Sequence, residues 1–186
     1  MTIKAGIILG TTRPNRNGEA VARWVRDLAA KRGDAEYELI DLRDYALPHL
    51  DEPNIPALGG YRHEHTRRWS EKISSLDAFV FVTPEYNHSI PGVLKDAIDF
   101  LYTEWNNKVA GFVGYGGDGA VRAVEHLRHI LATAGVATVT AQVALSIHTD
   151  FENMSAFRPA AAHEERLGLV LDQVLAWAGA LRTLRA

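Results

Sequence analysis

Ala78-Phe79-Val80-Phe81-Val82-Thr83 is apolar on consecutive positions and rich in β-branched and aromatic residues. A half-exposed strand alternates, whereas a continuous run of this kind is buried on both faces, as the central strands of parallel sheets are. Residues 3–9 and 109–114 read the same way, and residues 37–42 and 136–145 complete five strand-like runs. Antiparallel hairpins are not indicated. Between the runs lie helical patterns. Ala20, Val21, Trp24, Val25, Leu28 and Ala29 recur on one helix face, with Arg23, Arg26 and Asp27 outside it. Further helices are predicted over residues 66–76, 91–102, 120–134 and 160–184. The helix over 91–102 has Pro91 at its first position, and the helix over 160–184 carries a core stripe of Leu167, Leu171, Val174, Leu175, Ala178 and Leu181. Strands alternating with helices imply an α/β fold, a parallel sheet wound on both sides. Pro48, Pro53, Pro56, Gly59 and Gly60 make residues 45–61 a long loop, read as a surface connection with a lid as the alternative.

The chain has 186 residues, 47% of them hydrophobic, enough for one well-formed core. No repeat or low-complexity tract marks a boundary, so one domain over 1–186 is expected. Twenty basic against twenty-three acidic residues leave a formal charge of −3 with no long run of either sign. A diffusible small-molecule partner is expected, and neither a nucleic acid nor a membrane surface. With no cysteine, disulfides, thiolate metal sites and a cysteine nucleophile are excluded. Met1-Thr2-Ile3-Lys4-Ala5 runs into the first strand without a charged leader or cleavage site, and no stretch holds the roughly 18 consecutive apolar residues of a membrane helix. A soluble cytoplasmic protein is the expectation.

In open parallel sheets, ligands bind beyond the carboxyl ends of the strands. After the first strand comes Gly10-Thr11-Thr12-Arg13-Pro14-Asn15-Arg16-Asn17-Gly18-Glu19, a loop of hydroxyl, amide and guanidinium donors ahead of a helix. It reads equally as an anion cradle at a helix N-terminus and as an ordinary polar loop capped by Asn17. A nucleoside-triphosphate loop is excluded, because no Gly-Lys-hydroxyl triplet follows a glycine at the required spacing. Gly114, Gly116 and Gly119 have dinucleotide-fingerprint spacing. However, they follow the fourth strand, and Val139-Thr140-Ala141 stands where an acidic residue is needed. These glycines are read instead as letting backbone approach a flat ligand. After the third strand, Thr83-Pro84-Glu85-Tyr86-Asn87-His88-Ser89-Ile90-Pro91-Gly92 is a rigid platform on which Tyr86 can lie against an aromatic ring and Asn87 can bond ring heteroatoms.

Three motifs carry a resemblance. They are Gly10-Thr11-Thr12-Arg13 with Arg16 and Gly18; Pro84-Glu85-Tyr86-Asn87 with Ser89, Pro91, Leu94-Lys95 and Ala97-Ile98-Asp99; and Gly114-Tyr115-Gly116-Gly117 with Arg122-Ala123 and Glu125. Together with Leu47-Pro48-His49-Leu50-Asp51-Glu52-Pro53 and Ala176-Trp177, they make essentially the whole chain resemble the NADPH-dependent FMN reductase family, which includes quinone, azo-dye and chromate reductases. The resemblance implies a flavodoxin-like three-layer sandwich with strand order 2-1-3-4-5. It implies non-covalent FMN, with NADPH or NADH as donor and a quinone, azo compound, metal oxyanion or free flavin as acceptor. Thr11, Arg13, Asn17, Gly18 and Glu19 would hold the FMN phosphate, with Arg16 assisting. Pro84, Glu85, Tyr86 and Asn87 would contact the isoalloxazine, and Tyr115, Gly116 and Gly117 would border its other side.

Hydride would pass from NAD(P)H through flavin N5 to the acceptor with no catalytic acid-base pair in the protein. Glu85 is expected to point away from the flavin and pair with an arginine, with one from another subunit as an option. Two departures from the family pattern matter: Thr11 stands where serine is common, which preserves the hydroxyl, and Asp96 stands where asparagine is common; Asp118 also enters a glycine-rich stretch. His63 with His65, and His126 with His129, invite a metal, but neither pair comes with a third ligand at zinc spacing, so no metal site is assigned. A homodimer or homotetramer is implied, with Tyr102, Trp105 and Trp69 read equally as interface and as core aromatics. The competing functions are a flavodoxin-type electron carrier, disfavoured by the small net charge, and a flavin-binding regulatory module.

Overall fold

The computed structural model describes residues 2–185. In chain order the elements are β1 (Lys4–Leu9), α1 (Gly18–Ala30), β2 (Glu36–Asp41), α2 (Glu64–Ser74), β3 (Ala78–Pro84), α3 (Gly92–Asp99), β4 (Val109–Gly116), α4 (Val121–Thr133), β5 (Ala137–Ser146), β6 (Phe151–Glu152), β7 (Ala156–Phe157) and α5 (Ala162–Leu181). The five long strands form a parallel sheet in the order β2-β1-β3-β4-β5. The order and the helices on both faces are those of a flavodoxin-like three-layer sandwich.

Side-chain alternation divides the core between the two faces. Ile8, Phe79, Phe81 and Phe112 pack with α2, α3 and α4. Ile7, Leu9, Val80, Val82 and Val113 pack with α1 and α5. Every residue of β3 is buried, whereas the edge strand β2 keeps Glu36 and Glu38 exposed. Trp69 and Trp105 are fully buried and stack edge-on with each other, so they are core aromatics and not part of an interface. Their indole N–H groups donate to Ala97 O at 2.7 Å and Ile98 O at 3.1 Å. These bonds satisfy carbonyls of the last turn of α3, which ends at Asp99 and not near Tyr102. Pro91 caps α3 from outside and is not its first helical residue.

Two further features depart from the sequence reading. Phe151–Glu152 and Ala156–Phe157 form an antiparallel hairpin whose Phe157 packs edge-on against Trp24. The register between β4 and β5 shifts between Ala110 and Phe112. There Arg128 donates to Val139 O at 2.6 Å and Gln173 accepts from Ala141 N at 3.0 Å, supplying side-chain partners where the ladder is interrupted. By length and composition, residues 162–184 are apolar enough to cross a membrane. In the fold, Leu167, Val170, Leu171, Val174 and Ala178 of α5 are buried in the core layer on that face of the sheet.

Candidate functional site

The loops that follow β1, β3 and β4 meet at the carboxyl end of the sheet. In the first, Thr11 is buried and its Oγ1 lies 2.9 Å from the Tyr86 hydroxyl, which joins the first loop to the second. Among the described residues, no backbone carbonyl accepts from the amides of Thr11, Thr12, Asn15, Arg16 or Asn17. Arg13 is exposed, whereas Arg16 is 6% exposed and aimed inward, with its guanidinium donating to Thr11 O and Asp41. Its Nε is buried without an acceptor. Asn17 does not cap α1; its amide Nδ2 donates to Met154 O at 2.8 Å, tying the loop to the tip of the β6–β7 hairpin. The Glu19 side chain pairs with Arg23 at 2.7 Å on the outer face of α1, and that hydrogen bond holds its carboxyl below the usual range. Glu19 therefore offers the site an amide at the helix N-terminus, with its carboxylate engaged by Arg23.

The second loop builds its own turn. Tyr86 N donates to Ser89 O at 2.9 Å and Ser89 N to Tyr86 O at 3.2 Å. Asn87 and His88 have φ of 48° and 75°. This is a two-residue hairpin with both central residues left-handed, a geometry that asparagine tolerates. Tyr86 is 37% exposed above it. The Glu85 side chain is 8% exposed and turned toward α4, where Arg122 of the same chain holds it at 2.5 Å and the Ala123 amide donates to it at 3.3 Å. Glu85 thus pairs with an arginine as expected, but within the chain and not across subunits. Asp118 meets the same guanidinium at 2.8 Å, and these carboxylates raise the Arg122 pKa.

In the third loop Tyr115 is buried, and burial raises its hydroxyl pKa. The ring packs toward Phe151, and a Cβ added to Gly18 would stand 2.4 Å from its hydroxyl oxygen. Gly18 is therefore required so that α1 can begin directly over Tyr115. The glycines of the fourth-strand motif divide into two groups. A Cβ on Gly114 would meet Gly119 O at 2.6 Å, and Gly119, at φ +66°, would press on Ala144. These two serve internal packing, contrary to the reading that gave all of them to a ligand. Gly117 faces open space, and a Cβ on Gly116 would meet only ordinary contacts, 3.7 Å from Ala120 N and Glu85 Cβ.

Among the described residues, no group of three or more histidine, aspartate or glutamate side chains is placed to hold a metal. His65 pairs with Asp51, His126 with Ser89, and His49 with Asp96, so the Asp96 carboxylate is met by an imidazole. An apolar groove of about 360 Å³, lined by Ile55, Pro56, Ile98, Leu101, Tyr102 and Ile130, shares no residue with the three loops. Sequence reasoning missed Asp41 and Arg43, which hold the first loop from another segment, and quoted Arg122 in a motif without giving it the pairing with Glu85. In the order 2-1-3, the carboxyl end of β2 adjoins the loop after β1, and that adjacency was the available signal for Asp41 and Arg43.

The donors and the open backbone fit an anion at the first loop and a flat ring between the second and third. The family description "NADPH-dependent FMN reductase" matches residues 3–150. An NAD(P)H-dependent FMN reductase of Schizosaccharomyces pombe is 36% identical over 170 residues, covering 90% of this chain and 85% of the relative. A 2-hydroxy-1,4-benzoquinone reductase of a Burkholderia species is 27% identical, covering 95% and 97%. The fold is shared with FerB, a flavoenzyme NAD(P)H:(acceptor) oxidoreductase from Paracoccus denitrificans, at a TM-score of 0.72 and 24% identity, covering 96% of this chain and 98% of that one. The chain belongs to the NADPH-dependent FMN reductase family.

Proposed function

We propose that the protein is an FMN-binding oxidoreductase that uses NADPH or NADH to reduce a small acceptor, with residues 1–186 acting as one FMN-binding domain. The observation that carries the site assignment is the meeting of an amide-rich loop, an exposed tyrosine platform and the uncrowded backbone of Gly116 and Gly117 at one end of the sheet. Thr11, Arg13 and the amides of Asn17, Gly18 and Glu19 take the phosphate, and Arg16 supports them from beneath. Pro84, Glu85, Tyr86 and Asn87 line one side of the isoalloxazine. Gly116 and Gly117 border the other through backbone, and Tyr115 assists from below by holding Gly18. When bound, FMN supplies hydride acceptance at N5 and two-electron delivery to the acceptor. The chain orients the ring and leaves one face open, and Arg122 neutralises Glu85, so that no unpaired carboxylate opposes negative charge on the reduced ring.

A homodimer, or a tetramer of two dimers, fits the apolar groove beside Tyr102 and the exposed Ile55 and Leu58 at its edge. A soluble cytoplasmic location fits an α5 that packs one face, Leu167, Val170, Leu171, Val174 and Ala178, into the core. The activity is tested by supplying the FMN-loaded protein with NADPH and 1,4-benzoquinone. Quinone-dependent NADPH oxidation over many turnovers is expected, whereas binding of FMN without turnover would leave a carrier or a sensor.

A further inference from the structure

The loop after β1 is shaped from outside itself. Arg16 Nη1 donates to Thr11 O, Arg43 Nε to Thr12 O at 3.3 Å, and Arg43 Nη2 to Arg13 O at 2.9 Å. Three successive carbonyls are thus gathered onto two guanidiniums. Both arginines are anchored by one carboxylate at the end of β2: Asp41 Oδ2 takes Arg16 Nη2, and Asp41 Oδ1 takes the Arg43 amide at 2.9 Å. In a trans peptide the N–H points opposite to the preceding C=O. Fixing the carbonyls of Thr11 and Thr12 on one side therefore turns the amides of Thr12 and Arg13 to the other, the arrangement of an anion-binding nest; the Arg13 amide there reaches Thr11 Oγ1 at 3.4 Å, and Pro14, after the third carbonyl, has no N–H to turn.

We propose that Arg43 and Asp41 are positioning residues for the phosphate of the flavin: they hold the carbonyls back so that the loop presents its amides. The inference rests on the FMN reading above. Arg43 acts through its fork: Nε and Nη2 of one planar guanidinium, at fixed spacing and direction, meet the carbonyls of two consecutive residues.

The test compares Kd for FMN and for riboflavin, which lacks the phosphate, by quenching of flavin fluorescence in wild type, Arg43→Ala and Arg43→Lys, with thermal midpoints recorded alongside. Wild type is expected to hold FMN at least about tenfold more tightly than riboflavin. Both variants should lose about tenfold in FMN affinity while riboflavin affinity stays within about twofold. Full FMN affinity in Arg43→Lys would reduce the residue to a diffuse charge and overturn the proposal. Equal losses for FMN and riboflavin would overturn it as well, showing general damage to the fold. A wild type that binds neither flavin would remove the FMN reading itself, and the inference with it.

Discussion

The loop after β1 and the turn after β3 are joined by the hydrogen bond between the Thr11 and Tyr86 hydroxyls, but they are held in opposite ways. The first depends on Asp41 and Arg43 at the end of the neighbouring strand and on Met154 far along the chain. The second closes on itself through the paired Tyr86 and Ser89 backbones, with Asn87 and His88 supplying the left-handed corner. A turn that encodes its own geometry can be read from its residues. A loop shaped by remote side chains cannot be read until the strand order is known.

Asp41→Ala should do most to the first region. The Arg16 side chain is 1% exposed, and loss of its counter-charge leaves a buried guanidinium unpaired. Removing one partner of such a pair costs about 3–5 kcal/mol, read as a fall in unfolding free energy in urea. A cost below about 1 kcal/mol would show that the first loop does not depend on remote support.

Gly18→Ala strikes the same region through packing. The added methyl meets the Tyr115 hydroxyl and Leu9, and overpacking of this kind costs about 1–3 kcal/mol. Gly18→Ala combined with Tyr115→Phe, which removes the nearest clashing atom, should recover part of that loss in thermal melts. No recovery would place the strain elsewhere.

His88→Val addresses the self-contained turn. A β-branched residue at φ 75° costs roughly 1–2 kcal/mol, and the damage should stay local. The preference for FMN over riboflavin should survive, because the first loop is untouched. Loss of that preference would break the contrast between the two regions.

The opposite end of the sheet serves as a control with the smallest effect on the site. Lys108 is buried, its ammonium donating to Ile73 O at 2.6 Å, and burial, with Arg185 nearby, lowers its pKa to about 8. An unfolded lysine titrates near ~10.4, so between about pH 8 and ~10.4 the unfolded chain binds more protons than the folded one. Stability attributable to Lys108 therefore rises with pH across that window. Unfolding curves of Lys108→Met should lack this rise while FMN affinity is unchanged; an identical pH profile in wild type and variant would contradict the assignment.

The same division separates what was legible in the chain from what was not. β1, β3 and β4 announce themselves because burial on both faces leaves no polar positions, and the edge strand β2 still shows its alternation. The β6–β7 hairpin has two residues on each side, too few for any period to register. The end of α3 was missed because two tryptophans, from α2 and from the segment before β4, take its carbonyls. In the site, the three loops were visible as unusual stretches. The roles within them were less so: Asn17 bonds a distant carbonyl in place of capping, Arg16 faces inward, and Gly114 and Gly119 serve packing. Each of those depends on a partner whose position only the assembled sheet supplies.

The central claim, a flavin site reducible by a nicotinamide, is tested most directly by the visible spectrum of the protein after FMN loading and removal of free flavin, followed during anaerobic addition of NADPH. The account predicts a bound oxidised-flavin spectrum that bleaches on NADPH addition and returns when a quinone is added. A protein that retains no FMN, or one whose bound FMN stays oxidised with both NADPH and NADH, would contradict it.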